Sequence, residues 1–373
     1  MKSLLSILVL LCVTTNSLAQ PKRVDAEKIK ALIQDLGAGQ FALRERATER
    51  LLKIGVAGLK ELESATKEFS DKEIKLRASR ILQIIRARDL VAKLKSFRAG
   101  KLSGDELAGW KPFRKLAGDS PRSRRLFVQM QEAQPILFRL LRDGNARKTQ
   151  EELDRAAARA STRSQFGDTV AMGRVAALLF IAGEPKIKLD TTTSLVLSNL
   201  CFLPSFSSTL EGGPKESILR QLISRVLLRS TSDPANSYWL MVALDNNIPS
   251  ALKSALRILG RKPTVGSSQY ALLALAKFGK REHIKVAEKF AKDARRIRRR
   301  SVRINGKLQI VETQILDLAM AVVLHMEKRD LTKFGYGKTG LRHTTRVLDV
   351  NAIGFDSKQL RQRALALFAS RKK

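Results

Sequence analysis

Residues 41–55 read FALRERATERLLKIG. Leu43, Ala47, Leu51 and Ile54 follow one another at steps of four, four and three, which sets them on one side of a helix. Arg44, Glu45, Glu49, Arg50 and Lys53 occupy the other side, and Gly55 follows as a terminator. The next stretch, VAGLKELESAT (56–66), puts Val56, Leu59, Leu62 and Ala65 in a second row. A third, SDKEIKLRASRILQIIR (70–86), begins with Ser70 and Glu73 at capping-box spacing and lines Ile74, Ala78, Ile81 and Ile85 along one face.

The first and third of these helices correspond. Leu43-Arg44 recurs as Leu76-Arg77, and Leu51-Leu52 as Ile84-Ile85, each 33 residues on. Paired helices repeating at such a period predict a solenoid. The apolar-Arg pair, the small residue Ala47, the turn LLKIG and the second helix VAGLKELE resemble HEAT repeats over about residues 24–98. Gly58 stands where that family often has Pro, which affects the usual kink rather than the pairing. Two further segments, GWKPFRKLAGDSPRSRRLFVQM (109–130) and QILDLAMAVVLHMEKRDLTKFGY (314–336), resemble exported HEAT-like proteins of planctomycete bacteria. The counterparts are Gln314, Asp317, Ala319, Asp330 and KFGY. That resemblance implies a fold and a source but brings no activity.

Further along, helices are expected near 168–182, 190–203, 215–230, 234–245, 249–260, 267–278, 281–294, 309–327 and 357–370. Asp168, Asp190 and Asp233 are candidate caps, and Pro234 suits a first helical position. Asn305-Gly306, between short apolar segments, reads either as a hairpin or as a turn before the next helix. The expected layout is a leader (1–19), N-terminal HEAT-like repeats (22–98), a Gly-rich joint (99–121), a helical-repeat region (122–330) and a C-terminal extension with a last helix (331–373). The joint either separates two domains or interrupts one solenoid. The fold class is all-α, an α-solenoid of antiparallel helix pairs.

Composition agrees with helices. Of 373 residues, 44% are hydrophobic and only 5% aromatic, enough for a sizeable core built mainly of Leu, Ala and Ile. The opening MKSLLSILVLLCVTTNSLAQ has a positive start, an apolar run too short to span a bilayer, and small residues before a cleavage point after Ala19. It reads as a secretory signal. Leu11 is too large for a lipoprotein site at Cys12; an uncleaved anchor is the alternative. Removal of the leader leaves Cys201 alone, so no intramolecular disulfide is expected. The expected location is the cell envelope, periplasm or exterior.

The charge is extreme, with 70 Lys and Arg against 35 Asp and Glu. Such a surface attracts polyanions and anionic membranes. The densest run is KDARRIRRRSVR (292–303), carrying Arg295, Arg296, Arg298, Arg299, Arg300 and Arg303 against Asp293. If all six arginines met phosphates or sulfates, the logarithmic salt slope would approach about −5. Without aromatics the run offers no stacking for single strands. The competing reading is an exposed loop with no specific ligand. PRSRR (121–125) is a weaker cluster.

Other chemistry is thin. FGYGKTG (334–340) ends like a phosphate-binding loop, but the spacing demands Gly where Thr332 stands, and a helix rather than a strand is expected before it. His283, His325 and His343 lack ligand spacing, so no metal and no cofactor are expected. No Gly-x-Ser-x-Gly elbow occurs. Asp317, inside the apolar ILDLAMAVVLHM, is expected to be a buried structural carboxylate that needs an arginine or a helix N-terminus as partner. The sequence therefore predicts an exported, non-enzymatic scaffold for a protein partner. The rival is a sequence-independent binder of acidic polysaccharide or an anionic membrane surface, with nucleic acid disfavoured by export. An enzyme with a scattered site ranks third.

Overall fold

The computed structural model describes residues 25–165, 171–211, 217–304, 307–337 and 347–371. The leader, Asp168 and His343 lie outside them. The chain is predominantly helical and divides after Ser96 into two compact units. No described helix is long and apolar enough to cross a membrane.

The first unit holds α1 (Ala26–Asp35), α2 (Phe41–Ile54), α3 (Leu59–Glu68) and most of α4 (Lys72–Arg98). Its core joins Ile29, Ile33 and Leu36 to Ala47, Leu51, Leu62, Ala65, Ile74, Ala78, Ile81 and Ile85. Leu43, expected on the inner face, is 38% exposed, and its repeat counterpart Leu76 is 67% exposed. The arginines beside them are the fixed members. Arg44 Nη1 donates to the carbonyls of Ala38 (2.7 Å) and Gly39 (3.0 Å), and Arg77 bonds Glu45 (2.8 Å) and Glu73 (2.6 Å). The cap of α4 is Asp71 rather than Ser70. Its carboxylate accepts from the N–H groups of Glu73 (2.7 Å) and Ile74 (3.2 Å), because an anion answers the positive helix end better than a hydroxyl.

The second unit continues with α5 (Trp110–Ala117), α6 (Pro121–Ala133), α7 (Pro135–Arg142), α8 (Ala146–Gln165), α9 (Met172–Ala182), α10 (Thr191–Leu200), α11 (Pro204–Glu211), α12 (Ile218–Arg229), α13 (Asp233–Asp245), α14 (Ala251–Leu259), α15 (Val265–Phe278) and α16 (Ile284–Glu288). Strands β1 (Arg296–Ile304) and β2 (Lys307–Gln314) follow, then α17 (Ile315–Met326) and α18 (Lys358–Ser370). The helix expected over 309–327 is thus a strand up to Gln314, and the all-helical reading is amended by one antiparallel ribbon.

Segment 99–121 belongs to the core of this unit. Trp110 and Phe113 on α5 are fully buried and join Phe97, Phe127, Phe138 and Phe180, with ring centroids from 4.7 Å (Phe97–Trp110) to 6.0 Å (Phe97–Phe127) along the chain of contacts. Most pairs meet edge to face, each adding about 0.5–1.5 kcal/mol beyond its burial. Gly104 is required beside them. Its φ is +88°, and a Cβ there would sit 2.6 Å from both Phe97 and Trp110. Helices α9 and α17 are apolar all round and buried, as central helices are. Asp190 caps α10 by accepting from Thr193 N–H at 2.6 Å. Asp233 does not cap α13. Its carboxylate accepts the N–H of Thr264 at 2.8 Å and so ties the start of α13 to that of α15.

Candidate functional site: an arginine-bearing ribbon

The ribbon is fixed at its base and open beyond it. Asn305-Gly306 lies outside the described residues, flanked by the pair Ile304↔Lys307. At the base, Glu312 and Phe355 exchange two backbone hydrogen bonds of 3.0 Å, and Thr313 Oγ1 donates to the carbonyl of Ile353. Gly354 makes this approach possible. With φ +138°, a Cβ would stand 2.6 Å from Thr313 Oγ1 and 2.7 Å from Glu312 O.

Side chains alternate along a strand, so the six arginines do not converge. Arg295, just before β1, is a structural pin. It grips Asp293 (2.6 Å) and donates to Pro263 O (2.7 Å), and this guanidinium holds the Asp293 carboxyl below its ordinary range. Arg296 lies 3.8 Å from Glu312. A bulge between Arg296 and Arg298 resets the alternation. Arg298, opposite Thr313, donates to Asn351 Oδ1 and lines a cavity of about 410 Å3. Tyr270, Gln269 and Leu273 of α15 and Met241 of α13 line its other walls. Arg300 pairs with buried Val311 on the same face as Arg298. Its Nε is buried without a hydrogen-bond partner. Arg299 is exposed on the opposite face across from Glu312, and Arg303 pairs with Leu308 nearer the turn. Leu308 (72% exposed) and Ile310 (47%) share the face of Arg299.

Behind the ribbon lies Asp317, with no exposed surface. Arg361 of α18 donates Nε to its Oδ1 (2.9 Å) and Nη2 to its Oδ2 (3.1 Å), while the N–H of Gln314 donates to Oδ2 (2.8 Å). Arg361 also reaches the carbonyl of Glu312 (3.0 Å), so the guanidinium stands between two acidic residues. Burial raises the Asp317 carboxyl above its ordinary value, against the opposing pull of Arg361 and the Gln314 N–H. The phenol of Tyr336 donates to Asp317 O at 2.8 Å, and burial pushes that phenol well up. With no surface, Asp317 meets no substrate; its work is pairing. Sequence reading did not find Arg361, 44 residues away, and no local spacing signals it.

The remaining candidates are scattered. Gly335 ends a 3-10 turn in the left-handed region after α17, and Lys338 to Gly340 of the loop-like motif lie outside the described residues. His283 Nδ1 accepts from Lys280 N–H (2.9 Å); His325 is half-buried, and burial lowers its pKa. Cys201 is buried, donates to Leu197 O at 3.3 Å, and has its thiol pushed far up by burial. Among the described residues no group of three His, Cys, Asp or Glu side chains could hold a metal. Comparison with protein-family models, curated proteins and solved structures finds no match.

Proposed function

We propose that the protein is an exported, non-enzymatic binding scaffold, a HEAT-like α-solenoid whose arginine ribbon engages an acidic polysaccharide. The observation that carries this reading is the ribbon itself. Arg298, Arg299 and Arg300 are held on a frame anchored at its base, and none of them forms an ion pair among the described residues. An excess of 35 positive charges supplies long-range attraction. The repeat spacing of α2 and α4 supports the solenoid, and the leader-like opening supports export. Exposed Leu308 and Ile310 favour a second reading, a protein partner with an acidic rim, because an apolar pair has little use on a polysaccharide.

The test is retention on immobilised heparin. Polyanion binding requires elution by modest salt and earlier elution of the Arg299→Ala/Arg300→Ala variant. Unchanged elution removes the ribbon from the account. Recovery of one defined envelope protein that is lost with Leu308→Ser/Ile310→Ser supports the protein partner instead. Cell fractionation that finds the full-length, uncleaved chain in the cytoplasm overturns export.

A further inference from the structure

A second site lies where the chain turns from α12 into α13 and from α14 into α15. Arg257, near the end of α14, spends its guanidinium on the carbonyls of Leu228 (2.6 Å) and Ser230 (2.8 Å), which closes the C-terminal end of α12. That fixes the backbone of Ser230 and leaves a cavity of about 130 Å3 beside it. Its walls include Ser230, Thr231, Asn236, Arg257, Arg261 and Lys262. One water needs only about 10–15 Å3 of such space, so the cavity has room for a small oxyanion.

Two observations point to an occupant. Ser230 is 2% exposed and Asn236 is 5% exposed, yet Ser230 Oγ and Asn236 Oδ1 are buried with no hydrogen-bond partner. Buried polar groups left unmatched are destabilising, which favours an occupant that hydrogen-bonds them. Both side chains line this one cavity. At its mouth stand Arg261 and Lys262, both exposed and neither in an ion pair among the described residues. Burial, and after it the nearby Arg261 charge, lowers the Arg257 pKa. One acid borders the cavity, Asp233, and its carboxylate is engaged by the N–H of Thr264. The first turn of α13 has no side-chain cap, and Pro234 removes one of its donors. Either end of the Asn236 amide can be turned inward, since the two are interchangeable in shape. With the amide nitrogen inward, Asn236 and the Ser230 hydroxyl both donate, and Arg261 with Lys262 neutralise charge from the mouth.

We propose that this cavity binds one sulfate- or phosphate-type oxyanion, free or as the monoester group of a larger molecule. The site is separate from the ribbon and does not rest on the function proposed for it.

The experiment is calorimetric titration of the full chain with inorganic sulfate and with inorganic phosphate at fixed ionic strength. The expected result is saturable one-site binding, weakened at least tenfold by Arg261→Ala/Lys262→Ala, whose exposed positions leave the fold intact. Ser230→Ala gives a smaller loss. Arg299→Ala/Arg300→Ala leaves this binding unchanged while altering heparin retention. Tighter binding of a hexose sulfate than of inorganic sulfate assigns the site to an ester-borne group, and the reverse assigns it to the free ion. No saturable binding, or equal affinity in the Arg261/Lys262 variant, means the cavity holds water only and overturns the proposal.

Discussion

Arginine does opposite work on the two sides of the ribbon. In the seam behind it, Arg361 and Arg371 are almost buried and are matched by acids. Arg361 meets Asp317 at 2.9 Å, and Arg371 meets Glu288 and Glu327. On the ribbon, Arg299 and Arg300 form no ion pair among the described residues, although Glu312 stands across from Arg299. The same side chain is a bolt where desolvation forces pairing and, at exposed Arg299, a charge that water supports. A count of arginines therefore does not measure binding capacity. Arg295 counts in the run yet is spent on Asp293 and Pro263.

The comparison breaks most visibly at Asp317. Arg361→Ala leaves a carboxylate buried without its partner and is expected to cost about 3–5 kcal/mol in denaturant unfolding. Asp317→Ala should cost less, because the guanidinium keeps the Glu312 carboxylate and carbonyl. The double variant should cost clearly less than the sum, because neither charge is then orphaned. A loss below about 1 kcal/mol for either single change would place Arg361 with the surface arginines. Arg371→Ala follows, at about 1–3 kcal/mol, since it removes two acid contacts and stacking over Phe368 at 3.6 Å.

Acid and base titrations sharpen the contrast through opposite signs. Asp293 and Asp119 are held low by Arg295 and Arg124, so their stabilisation is present above the ordinary carboxyl value and lost as pH falls through their lowered values. Asp317 is raised by burial, so its stabilisation is full below the ordinary value of 3.8 and declines as pH climbs through the raised one. Urea midpoints measured from pH 3 to 7 should therefore lose part of their low-pH fall in Asp293→Asn, whereas Asp317→Asn should lose the decline on the side of rising pH. Smallest in stability are Arg299→Ala and Arg300→Ala, each within about 0.5 kcal/mol. Each should nonetheless lower the heparin salt slope by roughly one.

The helices were legible because their signals are local. Asp190 with Thr193, Gly55 after α2, and the Ile74–Ile85 row each declare themselves within a turn or two. Helices α6 to α8 went unnamed although Ser120 and Pro121 mark a start, with Ser120 accepting from Ser123 N–H. The hairpin is one of the two sequence readings of Asn305-Gly306; the helix expected from 309 is wrong up to Gln314 for a specific reason. Leu308, Val311, Ile315, Leu318 and Val322 fall at helical steps, so one apolar stripe runs through a strand into α17. Branched Ile310, Val311 and Thr313 were the contrary sign. Ser230, Asn236 and Arg261 share nothing in sequence that suggests one cavity; two successive helix turns bring them together.

The seam also imposes an order on assembly. A chain made or threaded from its N-terminus delivers Asp317 and the whole ribbon before Arg361, 44 residues behind, can reach them. Until then the last third of the molecule carries an unmatched acid in its interior. Any release of the growing polypeptide short of α18 leaves Asp317 without the guanidinium it pairs with.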